Sequence, residues 1–202
     1  MNILAFGAHP DDIEIGAGGT LSKYSEEGHN IAGIVATLPQ DKEVRKKESE
    51  IAADILGVDI WLLDISFDDL FFSRELARRI DVVLEKYNPD IIFTHWDGDS
   101  HQDHNALTGG VIAATRANKC SVYMYEQTLP GGIVPSSFNA QMYVDISHTM
   151  DKKIKSILAH KSQHEKNGDW WLHGIRGRAM FRGCQINTSY AEAFQVVKRL
   201  GL

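Results

Sequence analysis

Four short apolar runs, Asn2–Gly7, 31–37, 59–63 and 91–94, are separated by stretches in which charged and apolar residues recur at helical spacing. Runs of this length, rich in Ile, Val, Leu and Phe and without alternation, read as strands buried on both faces, as in parallel sheets. Between them, residues 41–56 carry Val44, Ile51, Ala52 and Ile55 and stop at Gly57, and Arg74–Tyr87 repeats the pattern through Leu76, Ile80, Val83 and Leu84. Strands alternating with helices predict βαβ units, right-handed crossovers and a mainly parallel sheet, so the expected fold class is α/β, with residues 1–202 as a single domain. The first helix is expected over 20–27, with Gly16, Gly18 and Gly19 in the approach to it. Farther along, the pattern predicts strands at 122–125, 141–146 and 194–198, helices at 105–118, 151–163 and 171–181, and a loop or lid over 128–139.

Two polar clusters follow directly after buried strands. Ala8-His9-Pro10-Asp11-Asp12 follows the first, and His95-Trp96-Asp97-Gly98-Asp99-Ser100-His101-Gln102-Asp103-His104 follows the fourth. Pro10 biases His9 towards extended backbone, so the first cluster leaves its strand as a loop. In a doubly wound sheet the first and fourth strands meet at the switch point, and ligands bind at the carboxyl ends of the strands there. The two clusters are therefore expected to face each other across one crevice.

Asp+Glu 27 against Lys+Arg 21 gives a net charge of -6, and no basic run stands out, which argues against nucleic acid or an anionic membrane as partner. No apolar stretch reaches the roughly 18 residues that span a bilayer. Cys120 and Cys184 have no metal-ligand spacing and read as free thiols of a reducing compartment, so a cytoplasmic location is expected.

A catalytic zinc keeps protein ligands on three sides and an open position for water, and two histidines with one carboxylate are a familiar set. His9 and one of Asp11 and Asp12 can supply two ligands, and a histidine of the second cluster the third. The remaining aspartate then stays free as a base beside the water. Taken alone, His-Pro-Asp-Asp reads as a solvated turn, and His101 and His104 as surface residues at a helix start with Asp103 as its cap. His29, His148, His160, His164 and His173 read individually as surface or satisfied core residues. A two-His-one-carboxylate iron site has the same sequence form, but the βαβ pattern does not suit it. The coincidence of two His/Asp clusters on strands expected to be adjacent favours a hydrolytic metal site.

At this point the sequence resembles the LmbE/PIG-L family of zinc-dependent N-deacetylases, over most of its length. Ala8-His9-Pro10-Asp11-Asp12 with Gly16-Ala17-Gly18-Gly19-Thr20 is similar to the family's opening motif. Arg45-Lys46-Lys47-Glu48 with Ala52-Ala53 and Leu56-Gly57 is similar to its second, and His101-Gln102-Asp103-His104 to its HxDH element. His160-Lys161-Ser162-Gln163 and Tyr190-Ala191-Glu192-Ala193-Phe194 resemble its closing motifs. The resemblance implies a Rossmann-like three-layer α/β/α fold with the active site at the carboxyl ends of strands 1 and 4. It implies His9, Asp12 and His104 as zinc ligands, with Fe2+ or Mn2+ able to replace zinc, and Asp11 as general base. His101, as a cation oriented by Asp103, is expected to stabilise the oxyanion or protonate the leaving amine. Arg45 matches a substrate-facing position, against the plainer reading of a solvated helix charge. The implied reaction removes the acetyl group of an N-acetylglucosamine-type conjugate, a small-molecule partner, and a homo-oligomer fits the family. One departure is Asp99, which stands where some members carry a tyrosine as oxyanion donor; a late-chain residue or the 128–139 loop is the expected substitute. The rival readings are a binding module that has kept the fold and another metal-dependent hydrolase, an esterase or phosphoesterase.

Overall fold

The computed structural model describes residues 1–39, 41–127, 132–134 and 136–201. The apolar runs form β1 (Asn2–Gly7), β2 (Asn30–Thr37), β3 (Asp59–Ile65) and β4 (Ile91–His95), and β5 (Ser121–Tyr125) follows. These strands pair in parallel. β7 (Ala191–Lys198) then runs antiparallel to β5, and β6 (Met142–Asp145) antiparallel to β7. Among the described residues the sheet has seven strands in the order β3-β2-β1-β4-β5-β7-β6. The chain reverses its direction of travel across the sheet at the β1–β4 seam, where Ile3 lies beside Ile91 and Ala5 beside Phe93.

Side chains of β1 point alternately to the two faces, as strand geometry requires. Ile3 and Ala5 join one core with Ile13 and Leu21 of α1 (Asp12–Glu26), Ile157 of α5 (Met150–Ala159) and Ile175 of α7 (Trp170–Gln185). Leu4 and Phe6 join the other, with Leu76 and Ile80 of α3 (Arg74–Tyr87) and Val111 of α4 (Gln102–Ala114). The expected three-layer α/β/α architecture is therefore the observed one. α2 (Lys42–Leu56) packs against α1 and α5. α3 occupies the expected residues, and the Ser73 hydroxyl caps it by accepting the Leu76 N–H at 3.1 Å. No helix among the described residues is long and apolar enough to cross a membrane.

Two expectations need correction. The first helix starts at Asp12, not at Thr20, so Gly16, Gly18 and Gly19 lie inside it. Glycine disfavours a helix interior by about 1 kcal/mol relative to alanine, but here the contacts demand it. A Cβ on Gly16 would come within 2.1 Å of the Tyr125 ring, and one on Gly19 within 2.7 Å of Ile146. α1 thus lies almost directly on the sheet, and its first turn projects beyond β1. The helix expected over 151–163 is broken at His160, whose backbone leaves the helical region at ψ 66°, and α6 (Lys161–Asn167) follows. The tail helix and β7 are each longer than expected. Of the loop expected over 128–139, residues 128–131 and 135 lie outside the described residues.

Candidate active site

The first cluster is shaped by the backbone of Asp11, which sits at φ 93°, in the left-handed region, as the N-cap of α1. For a residue other than glycine this costs of order 1–3 kcal/mol, and it persists where surrounding contacts enforce it. Here the Pro10 carbonyl accepts from the Arg45 guanidinium at 2.6 Å, and the Ala8 carbonyl accepts the Thr37 N–H at 3.0 Å. The Ala8 N–H donates to His95 Nε2 at 2.9 Å, and the His9 N–H to Asp12 Oδ2 at 2.7 Å. The turn divides the two carboxylates. Asp12 faces the histidines, whereas Asp11 faces Arg45, 3.8 Å away, and the cavity.

His9, Asp12 and His104 bring one ligand atom each to within 4.8 Å of one another. Asp12 lies 3.5 Å from His9 Nδ1 and 3.3 Å from His104 Nε2. The far nitrogen of each ring meets a carboxylate: His9 Nε2 lies 2.8 Å from Asp103, and His104 Nδ1 lies 2.9 Å from Asp99. A histidine that gives its outer N–H to a carboxylate turns a lone pair inward, the usual arrangement behind a metal-ligating imidazole. His104 is also clamped between the rings of His95 and His101, at 3.8 and 4.6 Å between centroids. Burial works against a charged His104, yet Asp12 and Asp99 hold its pKa up to about 10, so these carboxylates demand a positive charge at this spot. The donor set fits a divalent metal held by His9, Asp12 and His104. Asp99→Ala is expected to weaken metal binding by about 10–100-fold. Titration against a competing chelator measures this, and unchanged affinity would remove Asp99 from its supporting role.

Asp103 does not act as expected. Its carboxylate turns to His9, while only its backbone reaches His101, the N–H donating to His101 Nδ1 at 3.2 Å. The cause is local: His101 is the N-cap of α4, and its ring nitrogen satisfies a free N–H of the first turn. That leaves Nε2 of His101 as an N–H donor on the cavity wall. Burial, then His104 and His9, hold its pKa below the ordinary value. Burial and the adjacent Asp12 raise Asp11 to about 7.

Arg45 is 4% exposed, so it is not a solvated charge. Its guanidinium is directed at Pro10, Asp11 and Glu48, beneath the loop. His160, read as a surface or satisfied core residue, is fully buried 3.3 Å from Glu14, and neither ring nitrogen has a hydrogen-bond partner among the described residues. Its place in a closing motif was the available signal. Gln127 was missed altogether. It lies just past β5 and donates to Asp12 Oδ1 at 2.7 Å, so its position at the carboxyl edge of a strand was the clue. His9, Asp11, Asp12, His101, His104, Arg45 and Gln127 border a cavity of about 320 Å³, whose wall also includes Phe67 and Trp171.

Residues 4–115 match the PIG-L family, described as GlcNAc-PI de-N-acetylase. A diacetylchitobiose deacetylase from Thermococcus kodakarensis is 28% identical over 222 residues, covering 96% of this chain and 82% of that protein. The crystal structure of a conserved protein from Thermus thermophilus matches with a TM-score of 0.87 and 25% identity, over 100% of this chain and 97% of that one. A 4-oxalmesaconate hydratase from Pseudomonas putida is 22% identical over 96% of this chain and 88% of its own length. Half of the sheet, both His/Asp clusters and Arg45 fall within the matched segment, and on this match the chain belongs to the PIG-L family.

Proposed function

We propose that the chain is a zinc-dependent hydrolase that removes the acetyl group from an N-acetylglucosamine-type conjugate, with Fe2+ or Mn2+ able to serve in place of zinc. The observation that carries this reading is the free carboxylate of Asp11 beside two carboxylate-backed histidines and Asp12. A binding module would have no use for that base. A bound divalent metal supplies Lewis acidity and lowers the pKa of water at the site to about 7. Asp11 takes the proton of the attacking water and returns it to the nitrogen as the amine leaves. The Nε2–H of His101 donates to the carbonyl oxygen as it gains negative charge, the task a tyrosine performs in some relatives. Asp103 and Asp99 hold the His9 and His104 rings, and Arg45 holds the loop that carries the base. Amide and water give acetate and a free amine, so no further reactant is needed.

Metal analysis of the purified protein, run beside acetate release from a panel of N-acetylglucosamine conjugates and beside 4-oxalmesaconate, tests the reading. About one metal ion per chain with acetate released is the expected result. Turnover of 4-oxalmesaconate alone would move the chain to hydration, and failure to take up metal would end the reading.

A further inference from the structure

The α5–α6 junction is tied to the loop that carries Asp11 through two of its side chains. The Ser162 N–H and hydroxyl both donate to Glu48, at 2.7 Å each. Arg45 donates to the Ser162 hydroxyl at 3.4 Å and to the Pro10 carbonyl at 2.6 Å. His160, two residues earlier, reaches the first turn of α1, where its Nε2 lies 3.3 Å from a carboxylate oxygen of Glu14. Both of these side chains are buried. Asp11 stands close enough for its charge and that of His160 to act on each other.

Neither packing nor the helix break accounts for an imidazole here. The break uses the backbone: the His160 carbonyl accepts the N–H groups of Gln163 and His164 at 3.0 Å each, which starts α6 and needs no particular side chain. Filling the space would suit leucine better, since a buried polar atom without a hydrogen bond costs about 1–3 kcal/mol. Both ring nitrogens are in that state among the described residues. What the ring meets is charge. Burial works against a proton on it, yet Glu14 and then Asp11 hold its pKa above the ordinary value. Asp11 in turn sits at φ 93°, a conformation that its surroundings must enforce. Arg45, 3.8 Å away, supplies one such constraint. We propose that His160, anchored by Glu14, supplies another and is a positioning residue for Asp11, fixing the direction of the base carboxylate while standing outside the cavity wall. This rests on the deacetylase reading above.

The test measures acetate release and metal content for metal-loaded wild type, His160→Leu, His160→Gln and Glu14→Gln. Leucine keeps the space filled and removes both nitrogens, whereas glutamine can return an N–H near the place of Nε2. His160→Leu should lower kcat by about 10²-fold, the cost of a misplaced catalytic group, with KM and metal content unchanged. His160→Gln should recover most of that loss, and Glu14→Gln should fall between wild type and His160→Leu. Wild-type kcat in His160→Leu, a loss that follows metal content, or no recovery in His160→Gln overturns the proposal. Should His160→Leu fail to fold, Glu14→Gln decides: reduced kcat with metal retained supports the positioning, and wild-type kcat overturns it. If wild type releases no acetate from any conjugate, the deacetylase reading fails by itself. Calorimetric binding of acetohydroxamate to the metal-loaded proteins then judges His160, because a carboxylate beside the metal accepts the proton that this chelator gives up. Affinity that falls in His160→Leu as it does in Asp11→Asn supports the positioning, and any other pattern overturns it.

Discussion

Asp11→Asn is expected to lower acetate release by about 10²–10⁴-fold, the usual weight of a general base, while metal content stays at the wild-type level. Asparagine is the right probe because it tolerates the left-handed backbone at φ 93° better than alanine does. The substitution therefore removes the proton acceptor without forcing the turn to rebuild. Asp12→Asn makes the complementary case. Asp12 faces His9, His95 and His104 and accepts from Gln127, so neutralising it strips the negative charge from the ligand set, and the metal should be lost together with activity. Metal analysis and steady-state kinetics on the two proteins separate the roles. Metal lost from Asp11→Asn with turnover retained would reverse the assignment.

The largest stability effect is expected at a buried ion pair behind the start of α1. Lys153, on α5, is 1% exposed and donates to the carbonyls of Glu14 and Ile15 at 3.0 and 2.8 Å and to the carboxylate of Glu192 on β7. Glu192 in turn accepts the N–H groups of Gly19 and Thr20 at 3.0 and 2.7 Å. Burial, with the nearby charge of Arg178, pulls the lysine pKa down despite its carboxylate partner. Lys153→Met keeps much of the side-chain length but removes the cation bonded to Glu192, leaving only the longer-range charge of Arg178, and removal of one partner from such a pair costs about 3–5 kcal/mol. For a chain of this size that corresponds to a fall in Tm of roughly 6–20 °C. The double variant Lys153→Met/Glu192→Gln should recover part of the loss, because the buried carboxylate no longer lacks its bonded lysine. Thermal denaturation of the wild type and both variants measures it, and a single variant within about 1 kcal/mol of wild type would show that water reaches the pair.

The meeting of β1 with β4 and the bounds of α3 were readable because apolar runs and helical periodicity there agree with the final packing. Two adjacent carboxylates beside a histidine, each cluster after a buried strand, made the crevice legible as well. What escaped was set by contacts distant in sequence. Gly16 and Gly19 look like loop residues until Tyr125 and Ile146 arrive beneath them. Ile154, Ile157 and Leu158 give no sign that the helix will break at His160, since the break follows from burying that ring beside Glu14. Which carboxylate backs which histidine was equally hidden. Asp103 lies two residues from His101, yet its carboxylate bonds His9 across the crevice, and Asp99, noted only as a missing tyrosine, holds His104.

The glycines of α1 reverse the ordinary map of tolerance to substitution. Large residues such as Val82 and Ile133 are mostly open to solvent. At Gly16 a single methyl meets an aromatic ring that is itself fixed, since the Tyr125 hydroxyl donates to the Phe6 carbonyl at 2.8 Å. The ring cannot yield without disturbing β1, so the strain passes to the helix, and the first turn of that helix carries Asp12. A change at Gly16 can therefore reach the metal site without touching any residue of it.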